Sequence, residues 1–182
     1  IQEIAHRFEG GSLVSKFADI HDWIYSNLEV LPYTDEPEVR AEEAMRRWKL
    51  TADEVLKIGT VYEGKECNDV VMIFLAISKA LGYECQLAKC YRKNEQGDIL
   101  VHSIAIITDR ENNKQYAVNA GSKNKFWVTE GSWDFDSGPS MVNDWYVWRV
   151  GDDQWSMGLN DSTQEKSTIM KDAKDFYSSH KD

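Results

Sequence analysis

Apolar residues recur at helical spacing up to about residue 82, and beyond it the period falls to two. Leu13, Phe17, Ile20, Ile24 and Leu28 form a stripe with Lys16, Asp19 and Asp22 between them, which predicts a first long helix. Leu31-Pro32-Tyr33 ends it, because proline cannot continue a hydrogen-bonded turn. After a loop over 34–37, a second helix is expected over about 38–49, with Val39, Ala41, Ala44, Met45 and Trp48 available for burial. Thr51-Ala52-Asp53-Glu54 has the form of a capping box and opens a short helix that ends near Gly59. Gly64-Lys65-Glu66-Cys67-Asn68-Asp69 then leads without a break into an apolar run from Val70 to Leu81, closed by Gly82. A helix apolar on most of its circumference is a buried spine, and Cys67 sits in its first turn.

The second half of the chain alternates. Residues 84–92 read as a strand, 94–98 as a turn, and 99–108 as a strand apolar on both parities, hence central in a sheet. Residues 115–120 return as a third antiparallel strand. Helices followed by a meander predict an α+β domain. Further strands are expected at 126–128 and 145–150, a long loop at 131–139, and a final docked helix within 163–181. The expected organisation is an N-terminal extension over 1–12, a main domain over 13–160 and a helical tail over 161–182.

A net charge of −10 argues against a nucleic-acid or anionic-membrane surface. Three cysteines cannot all pair, and neither they nor the four histidines show a zinc spacing, so no metal or cofactor is expected. Cysteine usage favours a reducing compartment, and with no signal peptide visible the expectation is cytoplasmic. The chain begins at Ile1 rather than methionine, which leaves an upstream targeting segment open. Five of the seven tryptophans lie between Trp127 and Trp155. They are read first as packing on the sheet, and second as paving a substrate groove with Trp133 and Trp145.

The candidate chemistry centres on Cys67. A thiol at a helix N-terminus is biased toward thiolate by unpaired N–H groups and the helix dipole. His102 shares its parity with Leu100, Ile104 and Ile106, which places it on the face where the long helix is expected to pack. Asn119 ends the neighbouring strand, where its amide can hold the imidazole in one tautomer. Together these are a nucleophile, a base and an orienting group. The plainer alternatives are a small core cysteine and a satisfied strand histidine, with Asn68 and Asp69 capping the helix.

The order Gly64-x-x-Cys67-x-Asp69, helix, Leu81-Gly82-Tyr83, His102 in a strand, then Tyr116-Ala117-Val118-Asn119 resembles the transglutaminase-like superfamily. The resemblance covers about residues 13–120. It implies a papain-like core, with Cys67 as nucleophile, His102 as general base and Asn119 as the orienting residue. The chain departs from the usual pattern in having Asn119 where aspartate is commoner, Ala120 in place of proline, and Ser103 after the histidine.

The function expected is a thiol hydrolase that cleaves a peptide or isopeptide-type amide of a protein or peptide substrate through an acyl-enzyme. The alternatives are acyl transfer on the same triad, meaning cross-linking or deamidation, and a non-catalytic binding module using the aromatic segment 126–155. The Cys67 N–H, aided by Tyr62 from the preceding loop, is expected to meet the oxyanion. No oligomeric state is read from the sequence.

Overall fold

A computed structural model describes residues 1–32, 36–63 and 66–180, so the first half of the loop expected over 34–37 and the Gly64-Lys65 approach to Cys67 lie outside it. Six helices are present among the described residues: α1 (Gln2–Ala5), α2 (Leu13–Ser26), α3 (Pro37–Trp48), α4 (Ala52–Ile58), α5 (Glu66–Ala80) and α6 (Ser162–Ser179). The strands β3 (Glu84–Lys93), β4 (Ile99–Asp109), β5 (Lys114–Val118), β6 (Val128–Gly131), β7 (Ser140–Val142) and β8 (Trp145–Gly151) form one antiparallel sheet. Its order is β6-β5-β4-β3-β8-β7. The fold is α+β, helices packed on a curled six-stranded sheet, consistent with a papain-like core.

Local chemistry accounts for most boundaries. Ser12 Oγ accepts the Ser15 N–H at 3.3 Å and starts α2. The capping box of α4 is complete: Thr51 Oγ1 accepts the Glu54 N–H, and Glu54 Oε1 accepts the Thr51 N–H. Gly59 closes α4 at φ 78°, a left-handed cap that glycine takes without strain. In α3 burial falls on Trp48, while Val39 and Met45, expected inside, are exposed.

Two short strands escaped the periodicity. β1 (Glu29–Leu31) and β2 (Thr60–Tyr62) pair in parallel, and each is too short to display a period of two. Arg47 ties this pair to α5: its guanidinium donates to the Thr60 carbonyl at 2.7 Å and to Asp69 Oδ2 at 3.1 Å. Residues 1–8 are also folded, with Ala5 buried and Ile1, Ile4 and Phe8 packed on the core.

The sheet separates two clusters. On one side α5 contributes Val70, Val71, Ile73, Phe74, Leu75 and Ile77, against Leu87, Tyr91, Ala105, Ile107 and Val118. On the other, Ala88, Cys90, Ile104, Ile106, Ala117 and Val147 are covered by Trp127, Trp133, Phe135 and Trp145. The tryptophan-rich segment thus packs on the sheet, as its first reading had it. His102 shares the parity of Ile104 and Ile106, so it stands on the tryptophan-covered face and not on the face under α5.

Candidate active site

Cys67 is the second residue of α5 and is half-buried, whereas Cys85 and Cys90 are buried. Its first-turn position follows from the sequence: polar Glu66, Asn68 and Asp69 surround it before the apolar run begins at Val70. The chain just beyond β5 closes directly on it. A Cβ at Gly121 would stand 2.7 Å from the Cys67 Cα and 2.9 Å from its Cβ, so only glycine allows this approach.

Asn119, two residues before that glycine, is buried and oriented at both ends of its amide. Its Nδ2 donates to the Lys125 carbonyl at 2.7 Å, which turns Oδ1 toward His102. The His102 Nε2 lies 2.6 Å from that oxygen. Because Oδ1 can only accept, the hydrogen sits on Nε2, and Nδ1 of the neutral ring keeps its lone pair. Trp145 stacks on the imidazole with centroids 4.9 Å apart, and Arg92 lies over the same indole at 4.9 Å. Ring orientation and tautomer are both fixed.

His102 and Asn119, both singled out from the sequence, are therefore joined directly by a hydrogen bond. Cys67 reaches the same end of β5 through Gly121, and its charge acts on Cys90, the cross-strand neighbour of His102. Among the described residues no hydrogen bond joins Cys67 to His102. Tyr62 lies apart from this group, hydrogen-bonded to Glu43 with its ring under Arg47. Trp133 stacks on Phe135 and covers Gly131, away from the imidazole that Trp145 touches.

The electrostatics correct one expectation. Burial dominates at Cys67 and pushes the thiol up, so the helix start does not leave a resting thiolate. Lys89 and the Asn68 N–H pull the other way, while Glu165 and Glu66 add to the upward push. Burial also moves His102 below the ordinary histidine value, opposed by its bond to Asn119 and assisted by the Lys89 charge. The upward push on the thiol and the downward push on the imidazole both favour the neutral forms. Deprotonation then has to accompany attack.

Lys89 was not singled out by the sequence. It is fully buried, and its ammonium donates to Asn68 Oδ1 at 2.8 Å and Ser103 Oγ at 2.8 Å and pairs with Glu165 at 2.5 Å. Three donors meet three acceptors. Asn68 and Asp69, expected as helix caps, hold Lys89 and Arg47 instead. The available signal was parity, since position 89 falls between the inward-facing Leu87 and Tyr91. Among the described residues no group of three or more His, Cys, Asp or Glu is placed to hold a metal ion.

No protein-family model matches the chain, and no curated protein matches it. Among solved structures, it is similar to a candidate cysteine protease from Cytophaga hutchinsonii, at TM-score 0.49 and 17% identity. The match covers 84% of this chain and 42% of that one, so the chain spans about two fifths of that protein's length.

Proposed function

We propose that the chain is a thiol hydrolase that cleaves a peptide or isopeptide-type amide, with Cys67 as nucleophile, His102 as base and Asn119 as the orienting residue. The observation that supports it is the doubly anchored Asn119, whose Oδ1 takes the Nε2 hydrogen and leaves Nδ1 of His102 as the lone-pair nitrogen. In the first step Nδ1 takes the thiol proton as sulfur attacks the carbonyl carbon. The tetrahedral intermediate then collapses, and the imidazolium gives its proton to the departing amine. Water activated by the same nitrogen releases the acid. Throughout, Asn119 Oδ1 accepts from Nε2 and stabilises the imidazolium as it forms.

The test uses p-nitrophenyl acetate as an acyl donor, with release of p-nitrophenolate and an acetyl adduct on Cys67 followed by mass spectrometry. An adduct on Cys67 supports the reading, and its absence overturns it. The pH dependence carries a sign. Protonated His102 cannot accept a proton, so acylation falls as pH drops through the His102 pKa, which lies below the ordinary histidine value. An acid limb below about 6.5 is expected. A decline on the alkaline side, as an imidazolium loses its proton, would indicate a resting thiolate–imidazolium pair instead.

A further inference from the structure

Tyr25 lies in α2 and is 9% exposed. Its ring packs at a tilt against His21, one turn earlier, with centroids 4.9 Å apart, and His21 packs likewise against Phe126 at 4.6 Å. The His21 Nε2 hydrogen bonds the Ser122 carbonyl at 3.0 Å, and the residue before it is the glycine that lies against Cys67. One row of rings therefore ties α2 to the turn that closes on the thiol.

The Tyr25 hydroxyl is buried and has no hydrogen-bond partner among the described residues. A buried hydroxyl left unpaired costs about 1–3 kcal/mol, so a native one calls for a reason. A second orphan stands beside it: Glu66 Oε2, next to Cys67 in sequence, is also buried and unpartnered. The geometry runs from the Tyr25 ring through His21 to the Ser122 carbonyl, next to the Gly121 that lies against Cys67, and the charges of Glu66 and Cys67 both raise the Tyr25 hydroxyl. A buried hydroxyl whose hydrogen is committed to no bond can donate to an oxyanion that forms at the nucleophile.

We propose that the Tyr25 hydroxyl is the oxyanion donor of the Cys67 site, an inference that rests on the hydrolase reading above. When sulfur attacks, the S–C bond forms and the carbonyl π pair moves onto oxygen. That oxygen accepts hydrogen bonds from the Tyr25 O–H and the Cys67 N–H. The proton stays on tyrosine, and collapse of the intermediate returns the pair to the carbonyl as the leaving group departs. Burial, Glu66 and Cys67 all hold Tyr25 above the ordinary tyrosine range, so it remains a protonated donor over the working pH. Tyr62, the donor expected from sequence, has its hydrogen bond to Glu43.

Tyr25→Phe removes one oxygen and keeps the ring packing. Cys67 acylation by p-nitrophenyl acetate should slow roughly 10²-fold. Alkylation of Cys67 by iodoacetamide passes through no oxyanion, so its rate should stay within about twofold of the wild type, which also reports an intact site. Equal acylation of wild type and variant overturns the role of Tyr25 while leaving the hydrolase reading standing. Equal slowing of both reactions overturns it too, since the hydroxyl would then act on the thiol. A wild-type protein that is never acylated at Cys67 overturns the hydrolase reading and this inference with it.

Discussion

His102→Ala is expected to slow acylation of Cys67 by p-nitrophenyl acetate by about 10³-fold at neutral pH. The size follows from the state of the thiol. Burial pushes Cys67 up, so little thiolate exists without a base, and His102 carries the lone pair placed to supply one. The same reasoning predicts partial rescue by pH. As hydroxide takes over the deprotonation, the variant's rate should climb into the alkaline range while the wild type stays nearly flat. A loss of less than tenfold, or a variant whose rate does not rise with pH, would remove His102 from the mechanism.

The second large effect is on stability. Lys89 is fully buried, and Glu165 is the acidic partner it is paired with, from the first turn of α6. Glu165→Gln keeps the shape and removes the counter-charge, which should lower unfolding free energy by roughly 3–5 kcal/mol. Lys89→Met should fall in the same range, because it leaves Asn68, Ser103 and Glu165 without their donor. Lys89→Met combined with Glu165→Gln should lose clearly less than the sum, since neither charge is then stranded. Urea denaturation of the four proteins measures the coupling, and simple additivity would mean the pair is not the bond that docks α6. Lys89→Met should also slow Cys67 alkylation near neutral pH, as its positive charge helps hold the thiol down.

Most of the fold was legible because its signals are local. The α2 stripe, the Thr51 capping box, the apolar run of α5 and the double-parity β4 each announce an element within a dozen residues. Faces were harder to read. Both parities of β4 are apolar, so nothing in residues 99–109 says which side α5 covers, and His102 was assigned to the wrong one. The His102–Asn119 hydrogen bond does not depend on that face, since it joins neighbouring strands of the meander. What the structure adds is the close approach of Gly121, two residues beyond Asn119, to Cys67.

The residues that escaped notice depend on distant partners. A lysine in a strand reads as solvent-facing until α6 brings Glu165 to it. A tyrosine on the α2 stripe reads as packing until its hydroxyl proves to have no partner. β1 and β2 are three-residue strands whose pairing exists only once α3 and α4 have folded between them.

One experiment bears most directly on the meeting of Cys67 and His102: residue-resolved mass spectrometry of the native protein during iodoacetamide treatment at neutral pH. Expected is an adduct on Cys67 while Cys85 and Cys90 stay unmodified until denaturation, with the Cys67 rate dropping in His102→Ala. Equal labelling of the three thiols, or a Cys67 protected until the chain unfolds, would contradict it.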